Sequence, residues 1–141
     1  MHDKFYRLMM GYATLTGLAQ VGTVIEGRPL RVNDVLFSLV FDPKKDPDSV
    51  FIYGDLGVIS EQQRVEQESA LLAANMDFYA DYGACVAISP TNGHAILCLN
   101  APLDTLTPQG LHDRLKSAAM VAKAWPGACS AQGRNKGIVG F

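Results

Sequence analysis

The segment from Ser60 to Trp125 constrains the fold most, because its apolar pattern changes from helical to alternating and back. A helical spacing begins at Ser60, two alternating runs flank Asn92-Gly93, and a second helical spacing runs from Thr107 to Trp125. Apolar residues three and four apart predict helices, whereas alternation predicts half-buried strands. This block therefore predicts a helix, a β-hairpin and a second helix.

The residues before this block predict one helix and three strands. In residues 3–19, apolar side chains recur three and four apart, as on one helix face: Phe5, Leu8, Met9, Tyr12 and Leu15. A loop marked by Gly22, Gly27 and Pro29 follows, and then runs at 29–34, 35–43 and 49–59 indicate strands. The second run is almost continuously apolar, so both of its faces should be covered.

The predicted element order is α-β-β-β-α-β-β-α, which is an α+β fold. Runs of strands separated by helices predict a mostly antiparallel, twisted sheet with helices packed on it. We expect one domain over residues 1–126, since 141 residues fit a single domain. The Gly-rich residues 127–141 are expected to form a flexible tail.

Two helix starts carry capping signals. Ser60 and Gln63 have the spacing of a capping box, in which each side chain satisfies a backbone N–H at the other's position. Thr107 followed by Pro108 has the pattern of an N-cap and first helical residue. Pro126 is expected to end this last helix.

The hairpin turn is predicted at Asn92-Gly93, a pair typical of a two-residue type I′ turn. That turn would place Val86 opposite Leu99. One strand face would then hold Val86, Ile88, Leu97 and Leu99, and the other Cys85, Ala87, Cys98 and Asn100, with Ile96 nearby. Because the two cysteines would lie diagonally, about 7–8 Å apart, a disulfide between them is not expected.

The helix that begins at Ser60 carries two adjacent apolar stripes. The first consists of Val65, Leu72, Met76 and Tyr79, and the second of Leu71, Asn75 and Phe78. A helix with so wide an apolar arc can contact two surfaces. We expect one to be its own sheet and the other to be a partner.

Composition favours a protein-binding module over several other classes. Charged residues are 18% of the chain, below the roughly 25% of typical soluble domains, which leaves apolar side chains for the surface. The net charge of −2 and the lack of a basic stripe argue against nucleic acid. Apolar runs are too short for a membrane span. An odd set of three cysteines and no export signal predict a cytoplasmic protein.

Catalytic and metal-binding patterns are not recognisable in the sequence. His2, His94 and His112 lack metal-ligand spacing, and His94 is predicted to be a solvated turn residue. Cys129 has no neighbouring histidine to activate it. Aspartates at predicted strand ends are explained by turns: Asp34, Asp42 and Asp55. The interpretation is a protein that is not an enzyme and binds no metal or cofactor.

Several short motifs, taken in order, resemble the class I chaperones of type III secretion, the Tir-chaperone family. They are Pro29-Leu30, Phe37-Ser38-Leu39-Val40, Leu71-Leu72-Ala73-Ala74-Asn75, Ile88-Ser89-Pro90 with Gly93, and Leu103 and Leu106 with the Ala-rich helix that ends in Trp125. The resemblance covers most of residues 3–126. It implies a cytoplasmic homodimer without enzymatic activity that binds the N-terminal region of a secreted effector and keeps it soluble and competent for secretion.

The resemblance also implies two sets of site residues. The middle helix and following hairpin would form the dimer interface: Leu71, Asn75, Phe78, Cys85, Ala87 and Cys98. The first helix and the sheet would offer an apolar groove to the effector: Leu8, Met9, Tyr12, Leu15, Phe37 and Leu39.

Two other functions remain open at this point. A small-molecule-binding or regulatory α+β domain would hold its ligand in a closed pocket, where a chaperone would have an open groove. A hydrolase or transferase that used Asp34 or His94 would bring these side chains together in one cleft.

Overall fold

The structure, a computed structural model, describes residues 3–125. Its helices are α1 (Asp3–Thr16), α2 (Val21–Ile25), α3 (Arg64–Tyr82) and α4 (Pro108–Ala124), with a 3₁₀ turn at Glu61–Gln63 before α3. Its strands are β1 (Leu30–Val32), β2 (Val35–Val40), β3 (Ser49–Val58), β4 (Cys85–Ile88) and β5 (His94–Pro102). The predicted α+β order is confirmed, and α2 lies where a loop was expected. The predicted tail, with Cys129, lies outside the described residues.

The five strands form one antiparallel sheet in the order β1-β2-β3-β5-β4. A two-residue turn joins β1 to β2, in which Asn33 and Asp34 have φ of 48° and 66°. Positive φ at both positions is the geometry of a type I′ turn. Because this turn contains no glycine, the predicted strand 29–34 ran through it. Strand β1 in fact ends at Val32.

The sheet has an inner face covered by helices and an outer face turned away from them. Phe37, Gly54, Leu97 and Val86 lie in one row across four strands on the inner face. Helix α4 packs on this face and α1 packs against α4. The core holds large buried side chains from the inner face and from both helices: Met9, Phe37, Leu39, Ile52, Leu111 and Leu115. As predicted, β2 is buried on both faces from Val35 to Leu39.

The β4–β5 register differs from the prediction by two residues. Val86 pairs with Leu97, and Cys85 lies directly opposite Cys98. The connection spans residues 89–93, in which the Ser89 carbonyl accepts a hydrogen bond from Gly93 N at 2.9 Å. Within these residues only Gly93 has a positive φ, of 76°, whereas a type I′ turn needs two. A shift of two residues keeps every side chain on its predicted face, because the strand period is two. Ile88 is nevertheless exposed at the end of the strand.

Asp55 and His94 form a buried pair where the sequence predicted two turn residues. Strand β3 continues through Asp55 to Val58, with a bulge between Asp55 and Gly57. His94 Nδ1 lies 3.1 Å from Asp55 Oδ1, and the same oxygen accepts from Gly57 N at 2.9 Å. The turn predictions for both residues are therefore wrong. Buried polar groups need partners, and these groups lie within hydrogen-bonding distance of one another.

The two predicted helix caps have different outcomes. Thr107 Oγ1 accepts from Gly110 N at 2.9 Å, which confirms the N-cap of α4. The capping box at Ser60 is wrong, because a 3₁₀ turn separates Ser60 from α3. Ser60 N instead donates to Gln67 Oε1 at 3.1 Å, and Gln67 lies one turn inside α3.

Candidate partner-binding surfaces

An apolar stripe along α3 is the largest set of exposed apolar side chains on one described element. Four large residues on this helix are each 73–79% exposed: Val65, Leu72, Met76 and Tyr79. We call this set the α3 stripe. Its ends are 14 residues apart, about 21 Å along a helix axis. Scattered exposed apolar residues are ordinary, but a contiguous stripe of this kind marks an interaction surface.

The neighbouring face of α3 is held against the chain by Asn75. Its amide oxygen accepts from Val86 N at 2.6 Å, and its amide nitrogen donates to Val86 O at 3.3 Å. Strand β4 is an edge strand, so these two backbone groups would otherwise face outwards. Asn75 therefore satisfies the sheet edge in the way a neighbouring strand would, and it fixes which face of α3 points away from the sheet.

A cleft of about 330 Å³ joins the α3 stripe to the outer face of the sheet. Tyr79 forms its α3 side, and the outer-face side chains of three strands form its floor: Phe51, Tyr53, Cys85, Cys98 and Asn100. Burial raises the pKa of the Tyr53 hydroxyl, with smaller contributions from the two thiols. The α3 stripe and this cleft form one continuous surface with aromatic and sulfur groups but no described lysine, arginine or acidic lining residue.

Two further clefts lie on either side of the first turns of α1. One, of about 410 Å³, has Leu8, Leu103 and Leu106 in its lining. The other, of about 320 Å³, is lined by Phe41 and the prolines of the 41–48 turn. Lys4 and Arg7 line both clefts, and Lys4 is ion-paired with Asp104. The two clefts thus combine apolar linings with charged rims, an arrangement suited to an extended peptide.

The predicted dimer-interface residues divide into an inner and an outer group. Leu71 is only 3% exposed, Phe78 packs against the core, and Asn75 is engaged with β4. Leu71 is therefore buried within one chain, whereas Asn75 and Phe78 are half-buried, and a contact of these residues with a second copy stays a prediction. Cys85 and Ala87 are exposed and Cys98 is half-buried, so these three are available on the outer face.

Of the predicted effector-binding residues, most are core residues. Met9, Tyr12, Phe37 and Leu39 are at most 2% exposed, and Leu8 is buried but lines the larger α1 cleft. These four side chains belong to the core between the inner face of the sheet and the helices, and they do not line a surface cleft in this structure. Leu15 is exposed at the far end of α1. Lys4 and Arg7, which line both α1 clefts, were not among the residues predicted from the sequence.

The two alternative functions gain no support from the described residues. The most enclosed of the described cavities, between α3 and α4, is about 90 Å³, far below the roughly 300–1,000 Å³ of small-molecule sites. The larger clefts described above are more open to solvent and are not closed pockets. Asp34 lies on the β1–β2 turn, 3.7 Å from Lys123, whereas His94 contacts Asp55. These two candidate catalytic residues therefore have different partners.

Within residues 3–125, no three histidine, cysteine or acidic side chains are grouped as a metal site requires. None of the helices in this part of the chain has the length and hydropathy needed to cross a membrane.

Several solved structures share this fold at low sequence identity. The ExsC–ExsE complex matches with a TM-score of 0.70 and 16% identity, covering 92% of this chain and 98% of that chain. The HopA1–SchA chaperone–effector complex matches at 0.67 and 11%, covering 86% and 92%. The Yersinia pestis type III secretion chaperone SycH, in complex with a fragment of YscM2, matches at 0.60 and 17%, covering 84% and 97%. These likenesses establish the fold.

Comparison with curated proteins found no match to the sequence. The model of one protein family matches residues 30–126, from β1 to the end of α4, which is more than half of the chain. The chain therefore belongs to the Tir chaperone protein (CesT) family.

Proposed function

We propose that this protein is a type III secretion chaperone that binds the N-terminal region of a secreted effector as a homodimer. It keeps that region soluble and competent for secretion. The observation that carries the proposal is the family match over residues 30–126. One protein of the same fold is described as a chaperone in complex with its effector. On this proposal the protein has no catalytic activity, uses no cofactor and works in the cytoplasm.

The homodimer would form through the α3 stripe. A stripe of four large apolar residues on a single helix is costly to leave in water, and a second copy provides a matching stripe by two-fold symmetry. Cys85 and Ala87 lie beside it on the outer face and would extend the contact. The proposed interface therefore uses the α3 stripe, where the sequence had predicted the neighbouring face with Leu71. It retains the predicted hairpin residues.

The effector would occupy the clefts on either side of α1. An unfolded segment must have its apolar anchors covered, and the two clefts offer apolar linings on both sides of Lys4 and Arg7. Two such surfaces in a dimer would bind one long segment more tightly than either alone, through effective concentration. Residues 1–126 would then act as one domain.

The test is affinity capture of the tagged full chain from its own bacterium, grown to induce secretion, with bound proteins identified by mass spectrometry. We expect one dominant partner, bound through its N-terminal region, at one copy per two chains. Arg7→Glu should reduce capture at least about threefold, because Arg7 lines both clefts. Lys116→Glu is the matched control, since Lys116 is an exposed cation on α4 that lines neither cleft.

Each outcome separates the function from the assigned surface. A partner captured equally well by both variants would overturn the α1 clefts as the binding site. Failure to capture any protein partner, with the wild-type chain folded and secretion induced, would overturn the chaperone function itself.

A further inference from the structure

Cys85 and Cys98 face each other directly on neighbouring strands of the outer face. They are register partners in the β4–β5 ladder. Because Val86 N and O bond to Asn75, the backbone of Cys85 must point the other way, towards β5. Opposite residues of this hydrogen-bonded type have Cα atoms about 5.5 Å apart. That spacing lies within the range of about 4.4–6.8 Å that a disulfide requires.

The two thiols differ in their access to solvent. Cys85 is exposed, whereas Cys98 is half-buried beside Tyr53 and Tyr79. Burial, and then the adjacent Cys85 thiol, raise the pKa of Cys98 to about 12. A reagent from solution therefore reaches Cys85 first. Once Cys85 is modified, its contribution to the raised pKa of Cys98 is removed, which favours the reaction of Cys98 as a thiolate.

We propose that Cys85 is a thiol-modification site for low-molecular-weight disulfides and that Cys98 is its resolving thiol. The Cys85 thiolate attacks one sulfur of oxidised glutathione, forms a mixed disulfide and releases one glutathione thiolate. The Cys98 thiolate then attacks the Cys85 sulfur and releases the second glutathione. The protein pair loses two protons and two electrons, and one glutathione disulfide is reduced to two thiols.

The product would fasten edge strand β4 to β5 with a covalent bond beside the α3 stripe. The inference does not depend on the proposed chaperone function, because it needs only the geometry and exposure of the pair. A second copy bound to the outer face would slow the reaction without preventing it, since a dimer dissociates on dilution. The reaction is therefore tested over a range of protein concentrations.

The experiment uses the full chain with Cys129→Ser, so that only the pair can react, and oxidised glutathione as the probe. Intact mass should show the loss of two hydrogen atoms and no retained glutathione. Cys98→Ser should retain one glutathione on Cys85. Cys85→Ser should react at least about tenfold more slowly, because the remaining thiol is half-buried and burial, the largest cause of its raised pKa, persists without Cys85.

Three results would overturn the proposal. They are a stable glutathione adduct on the chain that retains both thiols, equal rates for the Cys85→Ser and Cys98→Ser variants, or no reaction at any protein concentration. Circular dichroism checks that each variant is folded. If a variant is unfolded, a non-reducing peptide map of the chain with both thiols decides the matter, because the proposal requires peptides linked through Cys85 and Cys98.

Discussion

Met76→Glu is expected to weaken self-association at least about a hundredfold. Met76 is 79% exposed at the centre of the α3 stripe. Burying a methionine side chain contributes about 1.5–3 kcal/mol, so about 1.5 kcal/mol remains to be gained on association. A two-fold interface contains the residue twice, which gives about 3 kcal/mol. Since each 1.4 kcal/mol is about tenfold in affinity, the dimer Kd should rise about a hundredfold. Burial of the new charge adds to this loss.

The assay is sedimentation equilibrium over a concentration series at neutral pH. Met120→Glu is the matched control, because Met120 is 70% exposed on α4 and the substitution changes charge identically. Its Kd should stay within about threefold of wild type, the range expected for surface changes. A Met76→Glu dimer of wild-type affinity, or equal weakening by Met120→Glu, would refute the assignment of the α3 stripe. Thermal unfolding by circular dichroism checks that both variants keep the monomer fold.

Three further changes test the interior. Asn75→Ala should lower the free energy of unfolding, measured by urea titration, by about 1–3 kcal/mol, because both Val86 backbone groups lose their partner. An unchanged free energy would show that water replaces the amide. Gly11→Ala should destabilise the folded protein by about 1–3 kcal/mol, although alanine favours helices, because the new Cβ would lie 2.6 Å from Pro108 Cγ. A higher melting temperature of the variant would contradict this. His94→Ala should lower the free energy of unfolding by about 1–3 kcal/mol in urea titrations at neutral pH, because the buried side chain of Asp55 loses a partner. An unchanged free energy would mean that this contact contributes nothing to stability.

Helix α3 shows how far the sequence determines a binding surface. The two stripes were recognisable from spacing, but spacing does not say which stripe packs inwards. The inward side is selected by Asn75, whose amide matches the exposed N–H and C=O of Val86. Leu71 lies one turn before Asn75 and is therefore buried with it. A polar residue within an apolar stripe was the available signal that the stripe meets a strand edge.

The β4–β5 hairpin and the buried contact of His94 with Asp55 show where prediction from the sequence fails. The Asn92-Gly93 signal was strong, but Ser89 and Pro90 favour a turn that begins earlier, with proline at its second position. The error of two residues left the faces correct and the pairing wrong. It moved Cys85 from a diagonal to a direct partner of Cys98. The contact of His94 with Asp55 joins residues 39 apart, which no local pattern encodes.

The closed edge of β4 restricts how a partner can bind on that side. An added strand would need the outward-facing N–H and C=O of Val86, and both already bond to Asn75. Displacing Asn75 would leave its amide to find new partners at the surface of α3. At Val86, a partner must therefore contact side chains, such as those of the α3 stripe. Side-chain contacts depend on shape and residue identity, whereas backbone pairing accepts almost any extended segment. The Asn75 contact thus favours a specific interface, such as one with a second copy, over indiscriminate strand addition.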